Sequence, residues 1–232
     1  MNRLTKEIMG KAKADIIRDL MESAGGSFSK GLGIDLGSSR SGEIFKWFLA
    51  AILFGARISE KVAANSYRVF AREGVSSPEK ILRMGWDGLV QLLDEGGYGR
   101  YDFKTATKLL EVAKALEEQY KGDLNRLHES APDPEDLENR IQSLAKGIGQ
   151  VTCNIFLREM RGIWEKAEPL PDDLCVAAAR TLGFLPPNLV SKKKILAELK
   201  SLWKAYNLPG MNFADFEAAL VRRGIEERRK KR

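Results

Sequence analysis

The chain has a single histidine, His128, among its 232 residues, so a multi-histidine metal centre or a Ser-His-Asp triad would have only that one ring to use. Its two cysteines, Cys153 and Cys175, sit in apolar helical patterns. That suits reduced thiols acting as small core residues and excludes a four-cysteine zinc or iron–sulfur site. No apolar run reaches the roughly 18–20 residues of a membrane helix. The N-terminal stretch is amphipathic and contains acids, unlike a signal peptide. These absences predict a cytoplasmic protein with no membrane partner. Charge of one sign is also scarce in the body of the chain. The net charge is +6, but residues 222–232 (RRGIEERRKKR) hold seven basic and two acidic side chains, so five of the six net charges belong to that stretch. A partner must therefore be read from motifs and not from bulk charge.

What is present is an ordinary globular mix, 44% hydrophobic and 30% charged, with helical periodicity throughout and little strand-like alternation. The fold class read from this pattern is all-α, with about ten helices. Ile8, Ala12, Ile16, Leu20 and Met21 place one apolar stripe on a first helix that ends near Ala24-Gly25-Gly26. Residues 25–42 are rich in glycine and serine and read as a loop, with Leu32, Ile34 and Leu36 available to anchor it. The run Ile44 to Phe54 is apolar almost all round, as expected of a central buried helix, and a helix over 59–72 follows. Ser77-Pro78-Glu79 and Asp133-Pro134-Glu135 each put a capping side chain before a proline at the first helical position. A helix around Asp87 to Leu93, a glycine-rich turn at 95–100 and a long helix from Asp102 to Tyr120 lie between those starts. Asn188 or Ser191 begins another helix, and Asn212 caps the last.

The stretch Leu144-Ala145-Lys146-Gly147-Ile148-Gly149-Gln150-Val151-Thr152 lies between two helical patterns. Two glycines bracketing a hydrophobic residue fit a tight helix-to-helix turn plugged by Ile148. The same turn lets backbone N–H groups approach a phosphate, with Gln150 and Thr152 as additional side-chain donors. A purely structural turn fits the residues equally well. Further on, Pro171-Asp172-Asp173 opens another helix. There the two acids either stabilise a helix N-terminus or do chemistry.

In combination, these segments resemble the helix-hairpin-helix DNA glycosylase superfamily. Its hairpin pattern L-x-x-G-h-G-x-x-T is matched by Leu144, Gly147, Ile148, Gly149 and Thr152, and its aspartate segment by Asp173 to Val176. The stretch Leu157 to Trp164, followed by Leu170-Pro171-Asp172-Asp173, is similar to the 3-methyladenine branch. Residues 51–65 resemble the family's lesion-facing helix and loop, and Gly97-Tyr98 before Lys104 its second DNA-penetrating loop.

The resemblance implies a two-lobed all-α fold with the active site in the cleft between lobes. The lobes expected are residues 1–57 plus 151–221, and 58–150 with the hairpin; 222–232 form a basic tail. The partner implied is double-stranded DNA carrying a damaged base, bound by a monomer, at the nucleoid or in a nucleus. Lys146, Gly147, Ile148, Gly149, Gln150 and Thr152 would contact DNA. Arg57 would plug the hole left by the flipped nucleotide, with Tyr98, Arg100 and Tyr101 as wedges, although Tyr98 and Tyr101 also suit packing of a turn onto the core. Trp164, Trp47 and Phe45 are base-pocket candidates, with core packing the competing role for Trp47 and its helix neighbours. Arg158 and Arg161 would join the cleft's positive charge.

Asp173 would be catalytic, with Asp172 the alternative. Bifunctional members carry a lysine two residues after the second hairpin glycine, where this chain has Val151. That departure argues for hydrolysis, leaving Lys146 for any lyase role. The family's iron–sulfur cysteines are absent, and no cofactor is implied beyond a cation at the hairpin carbonyls of Leu144, Gly147 and Gly149. A catalytically silent DNA-binding module is the competing reading.

Overall fold

The computed structural model describes residues 3–206 and 208–230, with side chains from residue 13 onward. Ile8 and Ala12 of the first helix's apolar stripe lie outside those described side chains. Among the described residues twelve α-helices are formed: α1 (Arg3–Ala24), α2 (Phe28–Gly31), α3 (Ser41–Phe54), α4 (Glu60–Arg72), α5 (Pro78–Glu95), α6 (Asp102–Tyr120), α7 (Leu124–Ser130), α8 (Pro134–Ser143), α9 (Gln150–Met160), α10 (Asp173–Thr181), α11 (Lys192–Tyr206) and α12 (Phe213–Lys230). No β-strand occurs among the described residues, so the class is all-α.

Local chemistry sets many of these ends. Ser77 and Asp133 each accept a hydrogen bond from an N–H of the first turn, from Lys80 and Asp136, and each precedes a proline. Asn212 caps α12 reciprocally: its Oδ1 accepts from the Asp215 N–H at 2.9 Å, and Asp215 Oδ2 accepts from the Asn212 N–H at 3.0 Å. Within α5 the helical path breaks at Gly85 (φ 70°, ψ 174°), a left-handed position suited to glycine. The break separates the start at Pro78 from the segment around Asp87 to Leu93.

The helices form two compact units, Met1–Phe28 with Leu170–Arg232, and Ser29–Pro169. The sequence reading set its lobe boundaries at 57/58 and 150/151 and so grouped α3 and α9 with the terminal helices. By contact, both belong to the middle unit, where α9 packs against α3.

The middle unit is built on α3. Ile44, Phe45 and every residue from Trp47 to Leu53 are buried, so the helix is enclosed by α4, α7 and α9. The glycine- and serine-rich stretch before it is more ordered than its composition suggests. It contains α2 and a short 3-10 turn (Leu36–Ser38), pinned by buried Ile34 and Leu36, while Leu32 is only half-buried. The Glu159 carboxylate, buried on α9, accepts the Ser29 N–H at 2.9 Å. Helix α7 is the other element that periodicity missed. It has seven residues, too few for a repeating stripe, and is started by Asp123 accepting from the Asn125 N–H.

In the terminal unit α12 packs against α1, α10 and α11. The stretch read as a basic tail is its last turns: α12 runs to Lys230, and a Cβ at Gly224 would come within 2.5 Å of the Leu174 carbonyl. Arg222 donates to the carbonyls of Ala24 and Gly26 and lies 4.0 Å over the Phe28 ring. Residues 222–224 are therefore structural, which corrects the reading of 222–232 as an appended tail.

Candidate nucleic-acid interface

Helices α8 and α9 are joined by Leu144–Gly149. Leu144, Ala145 and Ile148 are buried, whereas Lys146, Gly147, Gly149 and Gln150 are exposed. Ile148 is the plug expected from the sequence, its N–H donating to the Ala145 carbonyl at 3.1 Å. Gly147 has φ +91°, a backbone state that side chains oppose. Gly149 is the N-cap of α9 in extended conformation, and a Cβ there would meet nothing within 4 Å. It has no side chain to cap the helix, so no side-chain cap bond is made to the N–H groups opening α9.

The surrounding side chains qualify this picture. The Lys146 N–H donates to Glu111 of α6 at 3.2 Å. The Gln150 side chain is held between Gln142 and Glu138, donating to the Glu138 carboxylate at 2.9 Å. Thr152 was expected to offer its hydroxyl to a phosphate, but its side chain is buried against Gly55 and is not presented to solvent. The Lys108 stem lies beside Gly147, and burial holds its ammonium below the usual lysine pKa. Of the three carbonyls suggested for a cation, that of Gly149 accepts the Cys153 N–H at 3.1 Å as the first acceptor of α9. Among the described residues no group of three His, Cys, Asp or Glu side chains gathers as a metal site.

The proposed plug, Arg57, is exposed in the loop joining α3 and α4. The wedge candidates separate. Tyr98 is 1% exposed, and its hydroxyl donates to the Leu53 carbonyl at 2.8 Å. Its role is to fasten the glycine-rich turn to α3, which corrects the wedge expectation. Burial raises its phenol pKa to about 12. Arg100 is exposed and stacks 5.7 Å from the Tyr101 ring, which is half-buried, and both line an open depression of about 360 Å³ with Asp102, Phe103 and Lys104.

The base-pocket candidates are also turned inward. Trp47 donates from Nε1 to the Phe156 carbonyl at 3.1 Å, and Phe45 is buried on the same helix. Trp164 is buried, donates to Asn125 Oδ1 at 2.9 Å, stacks on His128 at 4.8 Å and meets Phe156 edge-on. These three rings are core. Arg158 and Arg161 are likewise buried. Arg161 donates to Glu168 at 3.3 Å and to the Pro169 carbonyl, fixing the loop after α9 where it had been expected to reach DNA.

In the terminal unit the two aspartates have different jobs. Asp172 is the N-cap of α10, its Oδ1 accepting the Cys175 N–H at 2.7 Å. Asp173 stands in the first turn with its side chain 93% exposed and accepts from Lys192 Nζ at 2.8 Å. Lys192 begins a run of three exposed lysines, Lys192 to Lys194, at the start of α11. Cations there oppose the helix dipole, which disfavours them by about 0.3–1 kcal/mol each. Sequence reasoning missed Lys192, along with Lys108 and Glu111 at the hairpin. The lysine run was a visible signal, but its pairing with an acid 19 residues away was not. No protein-family model matches the chain, and no curated protein is significantly similar to it.

Proposed function

We propose that the protein is a DNA N-glycosylase that hydrolyses the N-glycosidic bond of a damaged base flipped out of duplex DNA, leaving an abasic site. The observation that carries this reading is the hairpin, where exposed Gly147 and Gly149 stand before the uncapped start of α9. Backbone donors with no side chain in front of them suit a phosphate oxygen. The reading includes the two-lobed glycosylase arrangement implied by the sequence resemblance.

Asp173 supplies the chemistry in this proposal. It is the aspartate left solvent-exposed when Asp172 is taken up as the helix cap. As the glycosidic bond breaks, its electron pair leaves with the base and positive charge builds on the sugar. A carboxylate stabilises that charge and takes a proton from the attacking water, whose oxygen bonds to the sugar carbon; the departing base gains a proton. Val151, where bifunctional relatives of the resembled family place a lysine, favours water as the nucleophile.

The test is a panel of duplexes, each carrying one oxidised, alkylated or deaminated base, incubated with the protein and developed with and without hot alkali. Base release with alkali-dependent strand breakage is expected. Asp173→Asn should abolish release while duplex binding persists; unchanged release in that variant would remove the proposal. Strand cleavage without alkali, borohydride trapping and loss of both in Lys146→Ala would point to a bifunctional glycosylase/lyase.

A specific observation favours a second reading. Trp164, Trp47 and Phe45 are all core residues, so none of them offers an aromatic wall to a flipped base. A DNA-binding module without catalysis needs no such wall. Binding with no release across the whole panel would select it.

A further inference from the structure

Two aromatic rings of the middle unit remain at the surface. Trp86 on α5 is 39% exposed and Phe103 on α6 58% exposed, with ring centroids 5.2 Å apart. They are held in place. The Trp86 indole N–H donates to Thr107 Oγ1 at 3.1 Å, and that hydroxyl donates to the Phe103 carbonyl at 3.0 Å. The other three tryptophans, Trp47, Trp164 and Trp203, are buried.

Phe103, Thr107 and Glu111 fall four residues apart on one helix face. Glu111 is the residue that accepts the Lys146 N–H, and neighbouring Lys108 packs against Gly147. One helix face thus runs from the aromatic pair to the hairpin over eight residues, about 12 Å. A strand with one phosphate per roughly 3.4 Å of rise spans that length in a few nucleotides. Arg100 and Lys104 lie beside Phe103 in the open depression, with Asp102 the acid among them.

We infer that Trp86 and Phe103 form a base-stacking shelf that binds an unpaired base of a single-stranded DNA segment whose backbone follows α6 to the hairpin. Rigid exposed rings interleaved with cations are what sequence-tolerant single-strand binding uses. At 39% and 58% exposure the two rings offer on the order of 200 Å², far short of the roughly 800 Å² per partner of a stable protein interface. The inference extends the DNA-binding reading of the hairpin but requires no base release.

The experiment titrates the full chain with a twelve-nucleotide oligothymidylate while following tryptophan emission. Trp86 is the exposed indole, so stacking should quench emission, and Trp86→Phe should remove the quench. Phe103→Ala should weaken binding roughly tenfold, and Phe103→Tyr, which keeps a ring, should restore it. An abasic oligomer of equal length should bind more weakly and leave emission unchanged. Equal binding of the abasic oligomer, an unquenched signal, or a Phe103→Ala variant with unchanged affinity would overturn the shelf. Because the probe is undamaged, failure here is separate from failure of the glycosylase reading, which is scored by base release.

Discussion

Gly55, closing α3, lies directly against the Thr152 side chain in the first turn of α9, so close that a Cβ at 55 would overlap Thr152 Oγ1. The contact joins the start of the Arg57 loop to the start of the hairpin helix. Gly55→Ala should therefore destabilise the fold by about 1–3 kcal/mol through overpacking. Urea denaturation would measure the loss, and pairing the change with Thr152→Ala should recover part of it.

The two hairpin glycines should respond differently to alanine. At Gly147 the positive φ should cost about 1–2 kcal/mol of stability. At Gly149 there is open space and an ordinary φ of −106°, so stability should hold while duplex affinity falls, because a methyl group then stands before the free N–H groups of α9. Denaturation and fluorescence anisotropy with labelled duplex separate the two effects. Equal loss of affinity and stability at Gly149 would argue for a purely structural turn.

Asp172 and Asp173 make a second contrasting pair. Asp172→Ala removes the α10 cap and should cost about 1 kcal/mol of stability. Asp173→Asn removes an exposed charge and should leave the denaturation midpoint nearly unchanged. Measuring midpoints for both variants beside base release would divide capping from chemistry.

Tyr98→Phe should cost about 1–3 kcal/mol, since it leaves the buried Leu53 carbonyl without its donor. Duplex affinity should be unaffected, because the ring is not at the surface. A loss of affinity in a stably folded Tyr98→Phe protein would restore it as a DNA contact.

His128 predicts an acid limb in stability. Burial, with Lys166 nearby, holds its imidazole below the ordinary value of 6.5, and Trp164 stacks on the ring. A depressed folded value favours the neutral form. Its stabilising contribution is therefore complete above about pH 6.5 and is lost as pH falls through the folded value. Denaturation midpoints should decline as the pH is taken below about 6.5, and His128→Leu should flatten that decline.

Several of these features were legible in the sequence because they rest on local physics. Ser77-Pro78, Asp133-Pro134 and Asn212 start helices through bonds that close within three residues, and α6 runs from Asp102 to Tyr120 as its pattern gives. The hairpin turn with Ile148 as its plug was readable for the same reason. Side-chain direction was not readable, since whether a residue faces solvent depends on what covers it. Tyr98 turns inward to a carbonyl 45 residues away, Arg161 is enclosed by its own loop, and Thr152 is claimed by Gly55. The exposed pair Trp86 and Phe103 and the Lys192–Asp173 contact were likewise decided by tertiary packing. The sequence by itself determined an all-helical chain and its turns, because caps and periodicity act over a few residues. Only the tertiary structure decided which polar and aromatic groups stayed at the surface, because burial is settled by remote elements competing for the same faces.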